Sequence, residues 1–269
     1  ENLLAADLVR QSSWKYRTVK RIFDWSYCRA DQVIAIGRDM LEVLKQKGVE
    51  EKRLQLIPNW ADCDRIQPAS PRNNSYLCQL GIQDKKVFLF AGNIGRVQGI
   101  DNLLQAIALV KNEQAVFLFI GSGALVDSIH RKQKESSRCN IFYIGQLPLE
   151  EQPNFLNACD VAIVTLGTNM FGLGVPSKSY FSMAAGKPLL YVGERDSEIS
   201  RVIAEAQCGW QVEPHNPVQL AEVIDQICDL PETKLVEMGY AARKTVERRF
   251  SETVILRQYE TFFSSFDCC

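Results

Sequence analysis

The chain has 269 residues, 46% of them apolar and 23% charged, with a formal net charge of −1. That is the balance of an ordinary globular protein, long enough for one large domain or two modest ones. A charge so near zero gives no field for gathering nucleic acid, and no apolar run approaches the length of a membrane span.

The sequence opens on Glu1, and nothing near it resembles a signal peptide, so a trimmed product is expected. Of the nine cysteines, seven stand singly from Cys28 to Cys228 and two form a Cys268–Cys269 pair at the end. None makes a C-x-x-C pair or a zinc spacing, which favours reduced thiols and a cytoplasmic setting.

The first 65 residues read as helix Lys15–Arg29, strand Val33–Ile36, helix Arg38–Lys47 and strand Leu54–Ile57. Two strands cannot enclose a sheet core alone, so 1–65 is expected to be the remnant of a larger N-terminal domain. Residues 66–84, with Pro68, Pro71 and the polar run Arg72–Ser75, read as a linker. The first helix carries Trp14, Lys15, Arg17, Lys20, Arg21, Trp25 and Arg29. It is either an amphipathic helix on a lost sheet or a peripheral membrane contact.

From residue 85 apolar runs alternate with helical stretches. The predicted strands are Val87–Ala91, Val116–Ile120, Ile141–Ile144, Val161–Thr165, Leu189–Val192 and Gly209–Val212. Predicted helices include Ile100–Val110, Glu150–Ala158, Pro231–Phe250 and Glu252–Phe266. Continuous apolar strands between amphipathic helices give an α/β fold with a doubly wound, Rossmann-like parallel sheet over 85–250.

Ligands of such sheets bind beyond the carboxyl ends of the strands. After the first strand, Gly92, Asn93, Gly95 and Arg96 form a glycine-bearing turn, which reads either as a phosphate cradle or as a tight turn. After the second come Gly121, Ser122 and Gly123, and after the third Gly145, Gln146 and Leu147, each a ligand edge or a plain loop. The fourth crossing holds Gly172, Leu173, Gly174, Val175, Pro176, Ser177 and Lys178 at a helix start. A lysine opposes the helix dipole there unless an anion compensates, which favours a binding role. Arg96 and Lys178 are expected to converge on one diphosphate, each charge-assisted bond contributing about 1.5–3 kcal/mol. No Asp-x-Asp pair follows a strand, so no metal is expected. Gly92, Gly95 and Gly99 do not make G-x-G-x-x-G, which disfavours a nicotinamide or flavin site. His130 and His215 read as a solvated helix face and a surface loop.

Taken in order, Ile57-Pro58-Asn59, Gly92 to Gly99, Gly121-Ser122-Gly123, Gly145, Pro176-Ser177-Lys178 and Met183 to Pro188 resemble the C-terminal domain of glycosyltransferase family 4. The resemblance is closest to its bacterial surface-polysaccharide branch. It implies the C-terminal half of a GT-B fold, with a final helix, 251–269, crossing back to the N-terminal domain. It also implies a retaining, metal-independent transfer from a nucleotide-sugar, expected to be of UDP type, to a sugar or lipid-linked acceptor in polysaccharide or glycoconjugate assembly. No separate cofactor is implied, and the setting is cytoplasmic, extending to the inner face of the cytoplasmic membrane. Arg96 matches the family's phosphate-binding arginine, while Gln98 stands where its lysine is. The two glutamates of the family's E-x7-E motif fall on Leu173 and Phe181. Those departures keep open a non-catalytic nucleotide-sugar-binding module.

Overall fold

The computed structural model describes residues 12–265. The predicted end of the last helix at Phe266 and the Cys268–Cys269 pair lie outside them. Helix α1 (Trp14–Arg29) leads to strand β1 (Val33–Ala35), helix α2 (Arg38–Gln46) and strand β2 (Leu54–Leu56). The two strands pair in parallel and form a sheet of their own.

A second sheet follows. Its strands are β3 (Lys86–Ala91), β4 (Ala115–Ile120), β5 (Ile141–Gly145), β6 (Val161–Thr165), β7 (Leu189–Val192) and β8 (Gly209–Val212), paired in parallel in the order β5-β4-β3-β6-β7-β8. Helix α3 (Ser75–Leu80) precedes β3; between the strands lie α4 (Ile100–Leu109), α5 (Val126–Glu135), α6 (Gln152–Leu156), α7 (Lys178–Ala184) and α8 (Glu198–Ala206), and after β8 come α9 (Pro217–Cys228), α10 (Glu232–Arg249) and α11 (Glu252–Ser264). The doubly wound parallel sheet is as expected. Phe88, Phe90, Phe117 and Phe119 point to one face, under α4 and α9. Ala162, Val164, Leu189 and Tyr191 point to the other, under α7 and α8. Helices on both faces explain why the strands are apolar at nearly every position.

The expected linker at 66–84 is corrected. Ile66 and Leu77 are fully buried, a 3₁₀ turn at Pro71–Asn73 leads into α3, and Asn74 caps that helix by accepting from the Tyr76 N–H at 3.0 Å. Arg72 reaches Asp160 at 2.6 Å and donates to the carbonyls of Gln83 and Lys85. These partners fasten the segment to the second sheet, so it is part of that sheet's domain.

The two sheets meet through a charged seam. Arg38 donates to the Glu198 carboxylate from its backbone N–H at 2.8 Å, from Nε at 2.9 Å and from Nη2 at 3.1 Å, and it also reaches Glu205. Arg201 adds a bond to Glu42 at 2.7 Å. Asp39, buried, accepts from the Gly172 N–H at 3.2 Å, and burial raises its carboxyl above the usual range. Helix α11 returns to the crossing between the sheets. Glu252 N–H donates to Ala61 and Tyr259 sets its ring edge-on to Trp60 at 6.4 Å.

Candidate functional site

The order β5-β4-β3-β6-β7-β8 places the topological switch point between β3 and β6, where the chain leaves in opposite directions. Loops above that point diverge and open a crevice. Here the loop after β3 and the loop before α7 enclose a cavity of about 480 Å³, well within the size range of small-molecule sites. Gly92, Asn93, Gln98, Gly174, Val175, Ser177 and Lys178 line it, together with the apolar Phe155, Met170, Leu173 and Phe181. A second hollow of about 290 Å³, lined by Gly121, Ser122, Gln146 and Leu147, shares Gly92, Asn93 and Phe155 with the first. The two hollows therefore adjoin along one crevice.

Lys178 is the cation of this crevice. It begins α7 after Ser177, whose hydroxyl makes no cap bond. Its ammonium donates to Gln98 Oε1 at 3.0 Å and lies 3.9 Å from the centre of the Phe90 ring. Gln98 is itself fixed, because the Thr165 hydroxyl donates to its carbonyl. Among the described residues the ammonium thus meets an amide oxygen and a ring face but no carboxylate. Burial without an opposing charge lowers its pKa to about 7.

Of the expected pair Arg96 and Lys178, the structure lines the cavity with Lys178 alone. Arg96 is exposed and does not line the cavity, whereas Gln98 does. Arg96–Gln98 is a 3₁₀ turn, in which each residue advances a third of a turn, so residues two apart point to different sides.

The glycines divide by role. At Gly121, with φ +139°, an added Cβ would stand 1.9 Å from the Gly92 carbonyl oxygen, so the loops after β3 and β4 touch there only because neither has a side chain. Gly123 and Gly95 do not line either hollow: a Cβ on Gly123 would meet the Ile94 carbonyl oxygen at 2.4 Å, and one on Gly95 the Asn93 side chain at 2.8 Å. Gly145 lines neither hollow and accepts from the Gly121 N–H at 2.8 Å. Gly172 faces the other sheet, where a Cβ would meet Val43 Cγ2 at 2.4 Å. These four glycines, expected to touch a ligand, line neither hollow.

Several wall residues carried no signal in the sequence. Phe155 and Leu156 come from α6, and Met170 from a loop whose N–H groups at Met170 and Phe171 both donate to Glu194 Oε2 at 2.7 Å. Glu194 therefore sets the far wall without lining it. His130 is exposed, its ring edge-on to Tyr143 at 5.0 Å, and His215 is exposed in the loop after β8. Neither lines the crevice.

Comparison with known proteins agrees with this geometry. The description "Glycosyl transferases group 1" matches residues 77–245, and "Glycosyltransferase Family 4" matches residues 7–65. The chain is 45% identical over 259 residues to WbjE of Pseudomonas aeruginosa, named as a glycosyltransferase, covering 96% of this chain and 64% of WbjE. It is 26% identical over 235 residues to WcaI of Escherichia coli K12, named as a colanic acid biosynthesis glycosyl transferase, covering 85% and 56%. The chain thus spans less than two thirds of the length of these relatives. Among solved structures, Anabaena HepE in complex with UDP and glucose shares the fold, with a TM-score of 0.80 at 18% identity over 92% of this chain and 67% of HepE. The chain belongs to the group 1 glycosyl transferases and carries the C-terminal half of their GT-B fold.

Proposed function

We propose that this chain is the donor-binding half of a retaining, metal-independent glycosyltransferase, which moves a sugar from a UDP-type nucleotide-sugar to an acceptor hydroxyl in polysaccharide or glycoconjugate assembly. The observation that carries this reading is the crevice at the switch point. A flat hollow beside Ser122, Gln146 and Leu147 suits a nucleobase edge, and it adjoins a cavity whose cation is Lys178. The Ser122 hydroxyl donates to Gln146 Oε1 at 2.9 Å, which leaves the Gln146 amide N–H₂ to face a base carbonyl. Lys178 and the main-chain N–H groups near Gly174 and Ser177 would receive the diphosphate and stabilise it as the leaving group. UDP bound by HepE and names such as those of WbjE and WcaI point the same way.

A second reading has one observation in its favour: among the described residues, no carboxylate and no histidine lines either hollow. On that reading the chain binds the donor without turning it over. A panel of UDP-, GDP- and ADP-sugars tested by thermal denaturation separates the outcomes. UDP-sugars are expected to raise the melting temperature in a concentration-dependent way, since a ligand that binds only the folded state stabilises it by mass action. Equal stabilisation by all three bases would refute the base-reading role of Gln146, and no stabilisation would remove the donor site. Sugar transfer to an added acceptor distinguishes the enzyme from the binding module.

A further inference from the structure

We propose that Glu194 is a positioning residue for the donor sugar, holding from outside the crevice a loop that walls it. That loop, 166–177, joins β6 to α7 and consists of turns, so no helix or strand fixes its shape. It places Met170 and Leu173 in the cavity, and neither lines the hollow that suits the base. With the base in that hollow and the diphosphate at Lys178, the space beside Met170 and Leu173 is what is left for the sugar.

Three successive N–H groups of the loop end on carboxylates. Met170 and Phe171 both donate to Glu194 Oε2 at 2.7 Å, and Gly172 donates to Asp39 Oδ2 at 3.2 Å. Asn169 and Gly172 bracket the first two in left-handed conformations, with φ of +58° and +68°. Such alternation turns successive N–H groups to one side and makes a concavity suited to an anion. Glu194 fills it from within the protein, so the concavity is a clamp and not a second phosphate site. Bonds of this charge-assisted kind are about twice as strong as neutral ones, which suits a carboxylate to fixing an irregular segment. The two carboxylates come from different sheets: Glu194 follows β7, while Asp39 stands in the first turn of α2.

Glu194 is itself held. Its carbonyl accepts from the Ser197 hydroxyl at 2.7 Å, and that hydroxyl meets the hydroxyl of Tyr191 at 3.0 Å. Tyr191 and Ser197 are both buried. Gly193 makes room for the ring, since a Cβ there would stand 2.2 Å from Tyr191 Cζ. Gln211, from β8, donates to the Gly193 carbonyl at 2.8 Å. A chain of bonds thus runs from the ends of β7 and β8 through Glu194 to the wall of the cavity. Glu194 does not line that cavity, so it acts on a ligand only through the loop. The role presupposes the donor reading of the crevice, whereas the clamp itself does not.

The test is calorimetric binding of UDP, UDP-glucose and UDP-N-acetylglucosamine to the parent, Glu194→Ala and Glu194→Gln, together with amide hydrogen exchange. Alanine removes the acceptor of two N–H groups, whereas glutamine keeps a neutral oxygen for them. Alanine is expected to lower affinity for the UDP-sugars about tenfold while UDP binds within about twofold of the parent. Glutamine should fall between parent and alanine, and it carries the comparison if alanine does not fold. The Met170 and Phe171 amides should exchange faster in the alanine variant. A merely structural role would weaken all three ligands alike. Equal losses for UDP and the UDP-sugars, no loss for either, or exchange at those two amides unaltered by alanine would overturn the assignment. A parent that binds none of the three would overturn the donor reading, and the positioning role with it.

Discussion

Replacing Lys178 with methionine is expected to weaken binding of UDP at pH 7 by about 10- to 100-fold, the loss of one charge-assisted contact of about 1.5–3 kcal/mol. The reason is that, among the described residues, Lys178 is the cation that lines the cavity and its ammonium has no carboxylate to compete with a phosphate. Calorimetry in buffers of different ionisation enthalpy gives a sharper signature. Burial holds the free lysine near pKa 7, and a bound diphosphate raises that value. Above pH 7 the empty site is mostly neutral, so binding must take up a proton, and affinity should fall by up to tenfold per pH unit as pH rises. The methionine variant should show neither proton uptake nor that slope. In the empty protein the same group makes stability rise with pH between about 7 and the ordinary lysine value of 10.5, because over that range the unfolded chain holds the proton and the folded one does not. Methionine should flatten that rise. A variant that retains full affinity would mean that Lys178 only packs against Phe90.

Glu198→Ala is expected to destabilise the chain by about 3 kcal/mol and to loosen the first sheet from the second. Glu198 is 2% exposed and receives a backbone N–H and two guanidinium donors from Arg38, which lies across the seam. Alanine would leave those donors facing Asp39 and Glu205 alone. The figure is set at the low end for a broken buried pair because the Arg38 side chain is 27% exposed. Chemical denaturation should show a lower midpoint, and proteolysis should cut first between residues 57 and 66, where the chain crosses between sheets. A midpoint within error of the parent would mean that the seam contributes nothing.

How far the sequence could be read follows from the range of the interactions involved. The large sheet was legible because parallel strands covered on both faces must be apolar almost throughout, and β4 and β6 are buried at every position. The switch point, and with it the crevice, follows from that topology. The segment 66–84 was misread because its partners are distant: Arg72 and Asp160 stand 88 residues apart, and local composition cannot show that pairing. Arg96 stands off the cavity wall for a finer reason. Residue type predicted a phosphate ligand, but the phase of one 3₁₀ turn decides which side chain enters, and here it is Gln98. Lys178, which lines the cavity, stood out in the sequence because a cation at a helix start is an electrostatic anomaly. Phe155 and Met170 were missed because apolar residues on short helices and loops usually mean packing, and nothing local separates a cavity wall from a core.

Hydrogen exchange measured with and without UDP tests the central claim most directly. Protection should appear in the loops after β3, β4 and β5 and between Leu173 and Lys178, and nowhere on the opposite edge of the sheet. Protection centred instead on the cavity lined by Pro68, Lys187 and Tyr240, or no protection at saturating nucleotide, would contradict the placement of the diphosphate beside Lys178.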